Sequence, residues 1–432
     1  MKNYEAVVLG GGISGLSLAY NLKKKGCDSL AVLEKEDQPG GVIGKKITPH
    51  HIFYKGPKTF KTSTAEDLLE LIHELGLAND LLFSKKSASK RYIYSRGVFH
   101  EMGLSFFNIF KDPWMRQLIK ALVLEPFKQK KIIEDESIDT FFRRRFGSFV
   151  TEHLIDPFVQ GVCGGKCEEL SMSACFPLLK EWEYTKGSLL FGAFFSKKKQ
   201  KKSALFSLQG GLISLVDRLA SFLKNQIITS EVVLDVCFNK GLFHIKTSLA
   251  SYQTPKLFST LAPLHMKEWS VFKNIKDDPF FEKVSLTPLI GVSFFYEKKV
   301  IPFEGFGYLV PSRDQEPILG VLFDSQMFET CPNEDELTVM LDHRYLVCSD
   351  ETIANISQKT LKDHLGIDEK PKDFHVFRYQ SGLTHYPLFH KKIVSDMQEW
   401  LNKLAPGLIL AGNYLHPPGV NHCISQAKKI VN

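Results

Sequence analysis

Apolar and polar positions divide the chain into readable elements. EAVVLG, residues 5–10, is a short apolar run closed by glycine, the pattern of a buried parallel strand. In residues 14–25 the apolar positions Leu16, Leu18, Ala19 and Leu22 predict a helix with one buried face, and the lysines after them suit its negative dipole end. SLAVLEK, residues 29–35, predicts a second strand ending near Glu34. The opening of the chain thus reads strand, tight turn, helix, strand, one right-handed βαβ unit. AEDLLELIHELG, residues 65–76, is a strongly amphipathic helix ending in glycine, and residues 91–102 predict a hairpin turning across Ser95 to Gly97.

From residue 106 to about 184 the pattern is mainly helical, with prolines at 113, 126, 157 and 177 marking breaks. Residues 205–222 hold a glycine pair followed by an apolar helical stretch. Residues 227–236, 286–296, 307–310 and 318–323 are strand-like, 352–365 is a helix, and 408–412 is a last short strand before a helix from about Asn421. There is no internal repeat. The first and last segments look like pieces of one nucleotide fold, which makes the modules between them insertions.

The glycines Gly10, Gly12 and Gly15 form G-x-G-x-x-G, running through Gly11, Ile13 and Ser14, and they stand where a strand gives way to a helix. In that context the first glycine permits the turn, the second lets backbone approach a pyrophosphate, and the third lets helix pack on strand. The positive helix end then favours an anion. Glu34 lies nineteen residues after Gly15, where a carboxylate accepts from ribose hydroxyls, and Lys35 follows it.

Composition narrows the classes further. The chain has 432 residues and a formal charge of +7, modest for its length, which predicts no nucleic-acid partner. Part of the excess is the run KKKQKK, residues 197–202, read as a solvated loop. Eight cysteines lack paired zinc-ligand spacing and the fourteen histidines form no HExxH, so no metal is expected. The first strand pattern starts within five residues of Met1, leaving no room for a signal peptide, and no stretch of eighteen apolar residues predicts a membrane span. The expected location is cytoplasmic.

After Glu34 the chain continues KEDQPGGVIG. The pair Gly40-Gly41 resembles the second dinucleotide motif of the FAD-dependent amine oxidase superfamily, with Val42 where that motif carries arginine. Further segments resemble one branch of it, the oxygen-dependent protoporphyrinogen oxidases. GPKTF, residues 56–60, resembles a GPRSF-like turn, with Lys58 for arginine. KRYIYSRG, residues 90–97, resembles an NRF-type strand. DPFVQGVCGGKCEELSMSACFP, residues 156–177, is similar to a long EPFxxGVyAGdpxxLSxxAxFP segment. FSLQGGLISLVDRLA, residues 206–220, resembles FxGGLxxLxxxL, and LAGNYLHPPGVNHCI, residues 410–424, resembles LAGNYxxGVxxxDCI. The pieces keep the family's order from about residue 5 to 430. Two departures stand out. His416, Pro417 and Pro418 occupy the place of a glycine-valine pair, and HYPLF, residues 385–389, stands where an IPQY-like stretch is expected.

The resemblance implies an α/β fold: a Rossmann-like FAD-binding domain with an inserted mixed-sheet substrate domain and an inserted helical domain. Residues 1–85, 205–260 and 401–432 are expected to form the FAD-binding domain. Residues 86–104 give a substrate-domain hairpin, 105–204 the helical domain, and 261–400 mainly the substrate domain. The implied reaction removes six electrons from a porphyrinogen, with FAD as cofactor and O₂ as acceptor. The substrate is protoporphyrinogen IX, or alternatively coproporphyrinogen III. Another flavin amine oxidase or desaturase, or a non-enzymatic FAD-binding protein, shares the first motif and the C-terminal segment but not the pattern of residues 156–177.

Implied cofactor contacts are Gly10 to Gly15, Glu34, Lys35, Gly41 and Val42, together with the turn Gly56, Pro57, Lys58 and Thr59 beside the flavin. Val233 is expected at the adenine, Ala411 and Gly412 at the pyrophosphate, and Pro418, Gly419 and Val420 near the flavin. Arg91 matches a propionate-binding arginine, since a guanidinium grips a carboxylate by two parallel hydrogen bonds. Gly161 matches a close approach of backbone to macrocycle, and Phe294 or Phe295 a pocket wall. Residues 106–131 mix Phe, Trp and Leu with Lys and Arg, the composition of a peripheral membrane patch.

Overall fold

A computed structural model describes residues 1–85, 87–102, 113–195, 203–328 and 333–432. Its centre is a parallel sheet of five short strands, in the spatial order Ile227–Ile228, Leu30–Leu33, Ala6–Leu9, Lys256–Ser259 and Leu408–Leu410. Parallel sheets need both faces covered, and the two-residue period of a strand sends alternate side chains to each. Ala6 and Val8 face the layer formed by helices Ile13–Lys24, Glu66–Glu74, Ile213–Leu223 and Val420–Val431, whereas Val7 and Leu9 face the opposite layer.

That opposite layer is built partly from a small sheet of residues 233–254. It also contains Met266, Trp269, Phe272, Phe280 and Phe281, and Met397, Leu401 and Ala405 of helix His390–Leu404. Residues 266–284 and 390–404 therefore belong to the nucleotide-side core. The second sheet face has to be covered, and these two stretches of the 261–400 segment supply the aromatic bulk, while 286–384 build the other large sheet and its helix.

The second large sheet has seven strands, in the order Asp373–Thr384, Leu286–Tyr296, Asp335–Leu341, Ile318–Leu322, Gly307–Leu309, Tyr92–Ser95 and Val98–Glu101. All neighbours are antiparallel except Gly307–Leu309 with Tyr92–Ser95, so the sheet is mixed as expected. Its back packs on helix Asp350–Leu365 through Val292, Phe294, Leu337, Val339 and Leu361. Its front carries Ser293, Phe295, Glu336, Thr338 and Met340 by the same two-residue period.

The helical unit reads Pro113–Leu124, Ile138–Phe146, Asp156–Cys163, Met172–Cys175, Pro177–Lys186 and Leu189–Phe195. Pro113 and Pro177 open helices, where a missing N–H costs nothing. Pro157 follows a widened π turn at Thr151–Ile155, an adjustment to the donor it lacks. The lysine run 197–202 and the first part of the expected membrane patch, 106–112, lie outside the described residues.

Buried charge pins this unit together. Glu125 and Arg145 are both fully buried and paired. Glu125 also accepts from the Ser188 hydroxyl at 2.6 Å and the Leu189 amide at 3.0 Å, while Arg145 donates to the Lys128 and Gly187 carbonyls at 3.0 Å each. One ion pair thus joins three chain corners. Breaking a buried pair on one side leaves the other charge uncompensated, so Glu125→Gln is expected to cost about 3–5 kcal/mol in chemical denaturation. A loss under about 1 kcal/mol, the level of an exposed pair, contradicts that role.

Candidate dinucleotide and substrate site

The glycine turn is built to a tolerance that only glycine meets. Gly10 has φ +100°, and its N–H donates to the Leu33 carbonyl at 2.8 Å. A Cβ on Gly15 would lie 1.9 Å from the Gly10 oxygen, so helix Ile13–Lys24 could not seat on the turn with any side chain there. Glu34 clasps the turn from the next strand: the Gly11 N–H donates to Oε2 at 2.6 Å and the Glu36 N–H to Oε1 at 3.0 Å. Each carboxylate oxygen keeps a second acceptor position.

The second glycine pair closes on the first turn. Gly40 donates to the Gly11 carbonyl at 2.8 Å, and a Cβ on Gly41 would come within 3.4 Å of the Gly12 Cα. Around Gly12 itself a Cβ would meet nothing within 4 Å. Backbone there borders open space beside a helix start that has no side-chain cap and no acidic residue in its first turn. Helix Val420–Val431 begins in the same manner at Gly419, φ +146°. The two starts adjoin, Cys423 of one lying beside Ser14 of the other. Two uncapped helix N-termini facing one opening fit a diphosphate.

A second cluster lies at the turn after strand Ile52–Lys55. Gly56, φ +101°, donates to the Tyr379 hydroxyl at 3.1 Å. The Lys58 ammonium reaches the front of the seven-stranded sheet, 2.8 Å from Asp324, 2.8 Å from the Thr338 hydroxyl and 3.3 Å from Glu336. Glu336 also meets His51 Nε2 at 3.2 Å, and the His51 ring stacks on Phe295 with centroids 4.2 Å apart. Burial opposes the Lys58 charge, but Asp324 and Glu336 outweigh it and hold the ammonium protonated. Burial pushes the Asp324 carboxyl up to about 6, with Lys58 offsetting part of the effect. Burial also acts to raise Glu336, yet Lys58 and His51 hold it below the usual carboxylate range.

Further along the same face, helix Asp156–Cys163 crosses the sheet. A Cβ on Gly161 would sit 3.3 Å from Leu309 and 4.0 Å from Met340. Met340 is two residues from Thr338 on one strand, so Gly161 and the Lys58 cluster share the sheet front.

The chain matches the flavin containing amine oxidoreductase family over residues 13–431. The chain belongs to that family. Among curated relatives, the protoporphyrinogen oxidase of Dictyostelium discoideum is 26% identical, with 98% of each chain covered. The coproporphyrinogen III oxidase of Bacillus subtilis is 21% identical, covering 99% of this chain and 97% of its own. A crystal structure from Exiguobacterium sp., provisionally assigned as a protoporphyrinogen oxidase, superposes with a TM-score of 0.84 over 100% of this chain and 98% of its own. At 22% identity that likeness establishes the fold.

This flavin amine oxidoreductase is an FAD-dependent enzyme. The glycine turn, Glu34 and the two helix starts would hold its dinucleotide. The other expected contacts are placed as follows. Lys35 is exposed and pairs with Glu36 at 3.4 Å. Val233 is half-buried at an irregularity in its pairing with Thr247, just after Glu231, whose N–H donates to the Glu34 carbonyl at 2.9 Å. Ala411 donates to Ser259 at 2.8 Å and Gly412 to the Gln426 side chain at 3.1 Å, so their donors are already engaged. Val42 and Pro57 are exposed, whereas Thr59 and Pro418 are half-buried.

In the Lys58 turn, Asp324, Glu336 and Thr338 take the three donors of the ammonium. One expectation is corrected. Phe294 does not line the site: it is fully buried on the sheet's back, and strand alternation puts Phe295 on the front instead. Arg91 is exposed at the head of its hairpin, its guanidinium 5.1 Å from the Phe306 ring centroid and without a carboxylate partner among the described residues. His51, Asp324, Glu336 and Tyr379 were not foreseen, for no spacing pattern links them.

The Asp324 carboxyl titrates with a sign that can be checked. Its folded value of about 6 lies above the ordinary carboxyl value of 3.8, so the folded protein binds this proton more tightly than the unfolded chain. The stability it contributes is present at low pH and lost as pH rises through roughly 4 to 6. Asp324→Asn abolishes that titration. In calorimetry the wild type's lead in Tm over the variant is therefore expected to be larger near about pH 5 than near about pH 7.5. A lead that widens with pH contradicts the raised value.

Proposed function

We propose that the protein oxidises a porphyrinogen to the porphyrin, protoporphyrinogen IX to protoporphyrin IX in the first instance, with O₂ as acceptor and H₂O₂ as product. The observation that carries this reading is segment 156–177. Its helix Asp156–Cys163 lies across the sheet front next to the Lys58 turn, and the Dictyostelium relative aligns over nearly its whole length. Loss of six hydrogens from the macrocycle is balanced by three O₂ reduced to three H₂O₂. When bound, the flavin supplies the two-electron chemistry. The chain's part is to bind and orient the macrocycle and to keep water out.

Apolar residues on the sheet front, among them Leu309, Met340 and Phe295, suit the ring system. Arg91, whose guanidinium has no carboxylate partner among the described residues, suits a propionate. The coproporphyrinogen reading is kept beside the first because of the Bacillus relative. Coproporphyrinogen carries more propionates, and one arginine does not distinguish the two. We place the enzyme in the cytoplasm, touching a membrane surface through the helical unit. Val123 and Phe127 are 60% and 81% exposed there, beside Lys128, Lys130 and Lys131. No helix of the described residues is long and apolar enough to cross a membrane.

Purified holoenzyme is expected to show flavin absorbance that bleaches under anaerobic protoporphyrinogen, with coproporphyrinogen compared side by side. Bands that persist with both substrates defeat the proposal. Arg91→Ala is expected to raise KM about tenfold with a smaller change in kcat, because a remote carboxylate contact mainly supplies uniform binding. In gradient flotation with anionic liposomes the protein is expected to rise with the lipid, and Phe127→Asp to reduce that fraction; protein remaining at the bottom removes the membrane assignment.

A further inference from the structure

The stretch at residues 385–389, which departs from the family pattern, begins on the front of the seven-stranded sheet. Strands Leu286–Tyr296 and Asp373–Thr384 pair with Leu383 opposite Thr287 and Thr384 opposite Leu286, and the His385 N–H extends the ladder by donating to the Ser285 carbonyl at 2.9 Å. Side chains alternate along this regular end, so His385 shares the face of Leu383. Leu383 lies beneath helix Asp156–Cys163: a Cβ on Gly164, the residue that caps the helix, would come within 2.5 Å of the Leu383 side chain. Gly164 follows Gly161 by three residues, and Gly161 sits over Leu309 and Met340 of the same front. His385 therefore stands at the end of the front that this helix crosses.

The segment after the helix grips the chain on the other side of His385. The Ser171 N–H donates to the Tyr386 carbonyl at 2.8 Å, and Leu170 forms a bridge with Pro387. Tyr386 packs into the core of the helical unit, and its hydroxyl donates to the Asn413 carbonyl at 2.7 Å. Both flanks of His385 are thus fixed.

The imidazole itself is uncommitted. It is half-buried, and neither ring nitrogen has a hydrogen-bond partner among the described residues. Both nitrogens keep surface that the protein does not cover. Burial holds the ring below the ordinary histidine pKa, with the Glu169 carboxylate offsetting part of the effect. Glu169, in the loop after the helix, and His390, which opens helix His390–Leu404, are the titratable groups coupled to it among the described residues. At physiological pH the ring is neutral, so one nitrogen offers a lone pair.

We propose that His385 accepts a hydrogen bond from a pyrrole N–H of the porphyrinogen, which makes it a substrate-binding residue. This rests on the proposed function. The nitrogen of a pyrrole donates and does not accept, so the centre of the macrocycle needs an acceptor. Leu309, Met340, Phe295 and Leu383 on this face offer none, and the carboxylates near Lys58 are held by that ammonium. The porphyrin product exchanges some N–H groups for bare nitrogens, so the contact favours substrate over product. An imidazolium has no lone pair, and the contact is lost as pH falls through the lowered pKa of the ring.

The test uses full-length holoenzyme in steady-state kinetics with protoporphyrinogen. His385→Leu removes the acceptor and is expected to raise KM about tenfold with a smaller change in kcat. His385→Gln, whose amide oxygen accepts without titrating, is expected to stay within about threefold of wild type near about pH 7.5. As pH falls from about 7.5 to about 5, wild-type KM is expected to rise relative to that of His385→Gln, because only the imidazole gains a proton. A side chain that merely packs moves neither the pH profile nor the glutamine rescue.

Should His385→Leu fail to fold, the comparison of wild type with His385→Gln across pH decides. A folded leucine variant with unchanged KM overturns the inference, as does a KM ratio between wild type and His385→Gln that stays flat with pH. Either result, with flavin bands that bleach normally under porphyrinogen, leaves the proposed function standing. Wild-type bands that persist overturn the function and this contact with it.

Discussion

The ligand end of this fold hangs on one close approach, that of Gly15 to the Gly10 carbonyl. With no Cβ between them, helix Ile13–Lys24 settles against its strand. That seating orients the first-turn amides toward the opening. Glu34 fixes the approach from the side, because it takes the Gly11 and Glu36 amides on its two oxygens and so locks the turn to the neighbouring strand. Gly40 and Gly41 can then close over Gly12, and helix Val420–Val431 can lie alongside through Cys423 and Ser14. Each later contact presupposes the earlier one.

The same economy governs the sheet front. Lys58 extends from the nucleotide side to Asp324, Glu336 and Thr338 of the substrate sheet, so it acts as a tie between two units. One ammonium faces two carboxylates. Below about pH 6 burial favours a proton on Asp324, while Lys58 and His51 keep Glu336 ionised; above it both carboxylates share the one ammonium.

Much of this was legible in the residues. The βαβ opening, the strand 286–296, the hairpin and the terminal helix follow from periodicity and from glycine placement, which are local signals. The strands Asp335–Leu341 and Asp373–Thr384 and the helix His390–Leu404 escaped, although Leu337, Val339 and Leu341 alternate in the first and Ile393, Val394, Met397, Trp400, Leu401 and Leu404 keep helical spacing in the last. Residues 227–236 read as one strand, yet Ile227–Ile228 joins the parallel sheet and Val233–Asn239 an antiparallel one, a change of partner that no local pattern encodes. At the site, backbone positions were readable because glycine geometry leaves a spacing signature. The side-chain cluster was not, since Lys58 lies hundreds of residues from Asp324 and Glu336 and meets them only in the folded chain. Phe294 and Phe295 show the finer limit: adjacent and alike, they differ only in strand parity.

These features together bear on how the dinucleotide is held. At the two places where related motifs carry arginine, this chain has Val42, which has no charge, and Lys58, whose charge is already matched. Neither supplies a free cation. What the fold presents instead is two helix N-termini, each carrying roughly half a positive charge, fixed by packing at one opening. Partial charges on backbone need no ordering when the anion arrives, because folding has already met that entropic cost. A mobile side-chain cation would have to be desolvated and immobilised at the moment of binding. With no side chain at Gly12 to fill the open space beside it, that backbone charge would be what meets the diphosphate in place of an arginine.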